Sequence, residues 1–316
     1  MIKKNTKLPS TGLLLAALLA AGSLLSGQNA GADDMTPGGS VAATQAVYGN
    51  IPPDQAEGIS TGDRIKSAAA SGSMMAIWEA LEHGERVECL DCIPSVERLI
   101  YDPSAPRTRE IAAWWLRRRI FGVWGSGEVY ERTVNTLASD PDPQKRAYAA
   151  EALGEFLAAP GVDAVSAAID RDSDPNVRAS AAKALGRLNS DGNGALTKAL
   201  GDADARVKLA AIHSAGKLNR FSDAAAVARL TTDGDARVRR NAAELLGAMR
   251  TQESLSAVDS LMNIAKNDPD ANVRNAACHS LGAMHDARAR SLLEDISRTD
   301  VNGLVRDQAL IALRRL

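Results

Sequence analysis

Asp174-Pro175-Asn176-Val177-Arg178 leads into Ala181-Ala182-Lys183-Ala184-Leu185-Gly186, and the same phrase recurs five more times with small changes. Asp142 and Arg146 open it before Gly154, Asp204 and Lys208 before Gly216, Asp235 and Arg239 before Gly247, Asp270 and Arg274 before Gly282, and Asn302 and Arg306 before Arg314. A degenerate first copy runs from Arg109 through Ala112-Ala113-Trp114-Trp115-Leu116. The basic anchors are separated by 37, 32, 30, 31, 35 and 32 residues. A unit of that size is too short to enclose a core of its own. It must bury its apolar face against copies of itself, as stacked helix pairs do.

Each element of the phrase has a physical task. The leading Asp accepts hydrogen bonds from free N–H groups of the first helical turn and suits the positive end of the helix dipole. Val points inward, and the basic residue after it reaches carboxylates in the turn of its own or the neighbouring repeat, forming a ladder. The Ala pair lets helices approach closely, and the terminal Gly permits either a close crossing or a left-handed turn at the helix end. A shorter apolar helix precedes each phrase, as around Val162, Val165 and Ile169, or Leu255, Val258, Leu261, Met262 and Ile264. Composition agrees: 57 of 316 residues are Ala and only 11 are aromatic, which suits closely stacked helices better than large globular cores. The expected fold is all-α, a right-handed α-solenoid of about seven stacked helix pairs over residues 93–316.

The N-terminus reads as an export signal over residues 1–32. Lys3, Lys4 and Lys7 precede an apolar run from Gly12 to Leu25, and Ala30-Gly31-Ala32 supplies a small-x-small cleavage site. The run has 14 residues, fewer than the roughly 20 that span a bilayer, so no stable membrane insertion is expected once the signal is cleaved. No Cys stands nearby for lipid attachment, and Leu8-Pro9-Ser10-Thr11-Gly12 copies a cell-wall sorting pentapeptide at the wrong end of a chain. Residues 33–62, rich in Gly, Pro, Ser, Thr, Ala and Gln, are expected to form a flexible linker. Residues 63–92 are expected to hold a capping helix, with Met74, Ile77, Trp78 and Leu81 on one stripe and His83-Gly84 at its end, followed by a loop. Localisation is therefore expected to be periplasmic or secreted. The formal charge is −2, and removal of the three leader lysines leaves 34 basic against 39 acidic residues, −5. No basic excess is available for phosphates, so nucleic acid is not an expected partner.

The phrase, read as Asp-x-Asp-x-x-Val-Arg-x-x-Ala-Ala-x-x-Leu-Gly, resembles the HEAT-like repeat family over about Ile93 to Leu316. The short-period form found in bilin lyases and deoxyhypusine hydroxylase is the nearest in pattern. That resemblance implies the solenoid and says little of function, since the scaffold serves enzymes and plain adaptors alike. The hydroxylase builds a di-iron site from His-Glu steps. Here the four His are followed by other residues, as His83-Gly84, His213-Ser214, His279-Ser280 and His285-Asp286. Neither a metal nor a cofactor is expected, and hydroxylase or lyase chemistry is the disfavoured alternative.

The position five residues after each anchor gives the candidate recognition column: Trp114, Glu151, Lys183, His213, Glu244, His279 and Ile311. With Arg118, Glu155, Arg187, Lys217 and Arg240 it forms a mixed-sign stripe expected to line the concave surface, either meeting a protein partner or remaining solvated. Trp114-Trp115-Leu116-Arg117-Arg118-Arg119 adds a second candidate. Two adjacent Trp cannot both point inward, so Trp114 is expected to be partly exposed beside Arg117 or Arg118, as an interface anchor or as a cation–π contact closing the stack. Cys89-Leu90-Asp91-Cys92 reads as a structural disulfide, with a thiol-redox accessory as the alternative. Cys278 stands where the second Ala of the core pair stands elsewhere and is expected to be buried. The function expected is a non-catalytic protein-interaction scaffold outside the cytoplasm.

Overall fold

Six polar caps start six of the long helices. Asp142, Asp174, Asp204, Asp235, Asp270 and Asn302 each accept the backbone N–H two residues on, at 2.7–2.9 Å. The computed structural model describes residues 61–120, 127–188, 193–218, 221–249 and 257–316. The expected signal, its cleavage site and residues 33–60 of the linker lie outside the described residues. Seven helix pairs follow one another: α3 (Ile93–Leu99) with α4 (Pro106–Leu116), α5 (Glu128–Ser139) with α6 (Pro143–Phe156), and α7 (Gly161–Arg171) with α8 (Pro175–Leu188). Next come α9 (Asn193–Leu200) with α10 (Ala205–Lys217), α11 (Ala224–Arg229) with α12 (Ala236–Ala248), α13 (Val258–Asn267) with α14 (Ala271–Met284), and α15 (Arg290–Thr299) with α16 (Gly303–Leu313). Among the described residues there is no strand. The fold is an all-α solenoid.

The expected single capping helix is two helices, α1 (Gly62–Ser71) and α2 (Met74–His83). Gly72 ends α1 at φ +69°, a left-handed conformation open to glycine, and Ser73 then caps α2. A run of periodic residues concealed this break because Ser71-Gly72-Ser73 interrupts the stripe for less than one turn.

The phrase residues go where their chemistry sends them. Val177, Val207, Val238, Val273 and Val305 are wholly buried, as are Ala149, Ala150, Ala181, Ala182, Ala242 and Ala243. Cys278 is buried too, and burial pushes its thiol up to about 12, where it is neutral and inert. The terminal glycines serve close crossing, not left-handed turns. A methyl built on Gly154 would stand 2.9 Å from Ala184 of the next phrase helix; on Gly186, 2.7 Å from Ser214; on Gly247, 2.5 Å from Ser280; on Gly282, 2.7 Å from Ala312. The left-handed residues that end α6 and α14 are Leu157 and His285.

The ladder forms between repeats. Arg146 holds both carboxylate oxygens of Asp172 at 2.7 and 2.9 Å, Arg178 those of Asp202 at 2.7 and 2.9 Å, Arg239 those of Asp268 at 2.6 and 2.8 Å, and Arg274 those of Asp300 at 2.7 and 2.9 Å. Lys208 pairs with Asp233 in the same place. Each of the four arginines also donates to a carbonyl of its own turn, six residues back. One side chain thus joins two successive turns by two-pronged hydrogen bonding. Burial pushes Asp172, Asp202 and Asp268 up, but the arginine and the backbone N–H two residues on outweigh it and hold all three below the usual carboxylate range.

Candidate interaction surface

Along the stack the phrase helices pack closely on one another, while the shorter helices of successive pairs touch only sparingly. The more closely spaced layer lies on the inside of a curve. Two grooves record that curvature. One, of about 460 Å³, opens between the outer helices α5 and α7, lined by Val134, Ala164, Ala168 and Arg171 among others. The other, of about 550 Å³, runs across the inner faces of α4, α6, α8 and α10.

The inner groove contains three members of the expected column, Glu151, Lys183 and His213, and the neighbouring Glu155, Arg187 and Lys217. Lys183, His213 and Lys217 are exposed; Glu151 and Glu155 are half-buried. Its charges divide by helix. Glu110, Glu151 and Glu155 stand on α4 and α6, and Lys183, Arg187, His213 and Lys217 on α8 and α10. Arg187 reaches back to Glu155. Burial raises the Glu155 carboxyl, and Arg187 offsets only part of that shift. Among the described residues Lys183, His213 and Lys217 have no ion-pair partner, and neither has Glu110.

Arg109 departs from the ladder. In register it corresponds to the anchors that pair with the next turn's Asp. Instead its guanidinium lies over the Tyr148 ring at 3.8 Å and donates to Glu151 at 3.3 Å, on the groove floor. The sequence shows the difference: the later copies have Ser, Ala, Asn or Gln where this next repeat has Tyr148, and an aromatic face draws a guanidinium. Tyr148 and Ser180, which donates to Glu151 at 3.4 Å, are groove residues that periodicity did not single out.

The remaining candidates lie elsewhere. Trp114 is half-buried, with Arg117 5.9 Å from its ring centre, and neither lines the groove. Arg118 pairs with Glu85 at 3.1 Å. Glu244 is exposed and pairs within its own helix with Arg240 at 3.6 Å, and His279 is exposed two helices further on. The third arginine of that run, Arg119, is the buried one. It stacks on Trp115 at 3.5 Å and donates to the carbonyls of Trp115, Glu85 and Val87 at 2.6–2.8 Å, while Trp115 donates to Gly84 at 2.8 Å. Burial lowers Arg119 to about 10, still charged at neutral pH. This cluster fastens the α1–α2 cap to the first repeat. Beside it Cys89 and Cys92 form a disulfide that packs on Gly62. Asp91 completes a Cys-Asp-Cys group, but both sulfurs are bonded to each other and the carboxylate pairs with Lys66 at 2.7 Å.

The profile of a family described as HEAT repeats matches residues 130–193 and 224–314. Over those residues the chain is built of HEAT repeats. No curated protein matches it in sequence. Among solved structures it is similar to YibA of Escherichia coli, at 15% identity and TM-score 0.53 over 83% of this chain and 96% of that one. It is also similar to Kap95p, solved with RanGDP, at 15% identity and TM-score 0.57 over 79% of this chain and 38% of that one. Human deoxyhypusine hydroxylase aligns at 18% identity over 83% of this chain and 96% of that one, with TM-score 0.36. At these identities the likeness is one of fold. Among the described residues no helix is long and apolar enough to cross a membrane.

Proposed function

We propose that this protein is an exported, non-catalytic scaffold that holds a protein partner in its inner groove, and that the partner places acidic side chains against α8 and α10. The observation that carries this reading is the uneven use of charge. On the turn edge Arg146, Arg178, Lys208, Arg239 and Arg274 are each matched with a carboxylate. In the groove Lys183, His213 and Lys217 stand exposed, without ion-pair partners among the described residues, over about 550 Å³ of concave space. Kap95p and Kap121p, solved as complexes with RanGDP and with Pho4p, are solenoids of like fold that hold protein partners, which supports the class of function. Export rests on the leader pattern of residues 1–32.

The test is affinity capture with the native protein beside a Lys183→Glu, Lys217→Glu variant. A partner held by the first and lost by the second, while both melt at the same temperature, supports the groove. A partner held equally by both contradicts it. Export is checked by sequencing the N-terminus of the protein recovered from the cell envelope, which is expected to begin at Asp33.

A further inference from the structure

The charges of the inner groove leave a remainder once its internal pairs are cancelled. Glu151 accepts the Nε–H of Arg109 at 3.3 Å, and Glu155 is held by Arg187. Two sets of groove charges then stay unmatched among the described residues. One is the carboxylate of the exposed Glu110 on α4; the other is Lys183 on α8 with Lys217 on α10, joined there by His213. The helices stack in the order α4, α6, α8, α10, so the two signs stand toward opposite ends of the groove, with the paired carboxylates of α6 between them. The floor between the ends is small and apolar, formed by the buried Ala113, Ala152 and Ala184. A partner that is acidic throughout would complement α8 and α10 but set like charge against Glu110.

We infer that the groove recognises an extended, dipolar segment of the partner, with a basic residue against Glu110 and a pair of acidic residues against Lys183 and Lys217, an inference that rests on the groove reading above. Packed helices stand about 8–10 Å apart, so α4 lies about 16–20 Å from α8 and about 24–30 Å from α10. An extended chain advances about 3.3 Å per residue, which places the acidic pair about five to nine residues from the basic one. The small floor leaves an extended backbone unobstructed between the two ends. A segment laid the other way round brings like charges together at both ends, so the groove also sets the partner's orientation.

Selection of displayed random peptides of about twelve residues against the full chain tests it, because that length spans all four helices. The enriched peptides are expected to carry a basic residue about five to nine positions from an acidic pair, in either order, about tenfold or more above the unselected library. Against Glu110→Lys the basic residue should drop out and acidic-only peptides should take over. Glu131→Lys, the same charge change on outer helix α5, should leave the pattern as it was; both substitutions fall at exposed positions. Peptides that are acidic only on the parent, or that keep their basic residue on Glu110→Lys, overturn the dipolar segment and leave the groove reading in place. Peptides with no charge pattern, a pattern unchanged on Lys183→Glu, Lys217→Glu, or no enrichment at all would overturn both.

Discussion

Four of the six seams between successive phrase helices are tight around a glycine, and the one between α10 and α12 is not. At the tight seams α6–α8, α8–α10, α12–α14 and α14–α16, a glycine lies against Ala184, Ser214, Ser280 or Ala312, with no room for a methyl. At α10–α12 the facing residue is Leu245, and a methyl on Gly216 would sit 3.6 Å from it, at ordinary contact distance. The helices there pack less closely. The same junction carries a lysine rung, Lys208 with Asp233, where the four tight junctions use a two-pronged arginine. Large residue for small and lysine for arginine thus act in the same direction. Two side chains change how closely repeats of one phrase pack, and here the change falls just beyond the α8–α10 wall of the groove.

The largest effect is expected from closing a tight seam. Gly247→Leu should destabilise the fold by about 3 kcal/mol, because Ser280 is built into the opposing helix and cannot move aside. Removing a rung comes next. Arg239→Ala should cost about 2 kcal/mol, since it leaves Asp268, 3% exposed in its side chain, without its cation. The matching Lys208→Ala should cost less, and equal losses in urea melts would erase the distinction between the rungs.

Acid should act on the rungs together. The ladder aspartates are held below the ordinary carboxylate value in the folded state, so their contribution is complete above about pH 4 and lost as the pH falls through their folded values. The capping carboxylates Asp204 and Asp235 are lowered to about 2 by the arginines two residues on and by backbone N–H groups, which sets the foot of that window. Thermal melts should therefore be insensitive to these groups between pH 7 and 5 and fall steeply below 4, less steeply in Arg239→Ala. The smallest effect is a gain: Gly216→Ala should stabilise by up to about 0.5 kcal/mol, because alanine favours the helix and has space. Gly186→Ala, by contrast, should destabilise. Two losses of similar size would show that the α10–α12 seam is as tight as its neighbours.

The architecture was legible because it is local and repeated. An Asp two residues before a free N–H caps a helix whatever lies elsewhere, and six copies in register fix the stacking direction of Val and Ala. The ladder was legible as a type of contact, though only the structure assigns it to the next repeat. What escaped depends on residues far apart in the chain. Arg109 leaves the ladder because Tyr148 stands opposite it, and Arg119 is buried because Gly84, Glu85 and Val87 offer it carbonyls. The column was read at the right helical position, but it divides: Glu151, Lys183 and His213 share a groove, while Trp114, Glu244 and His279 lie outside it.

The central claim is that the inner face meets a partner and the outer face does not. A photo-crosslinking residue placed at His213 in the groove, and separately at the exposed Glu131 on outer helix α5, tests it in the cells that make the protein. The account predicts a discrete protein adduct from position 213 and none from position 131. Adducts from 131 alone, or the same adducts from both, would contradict it.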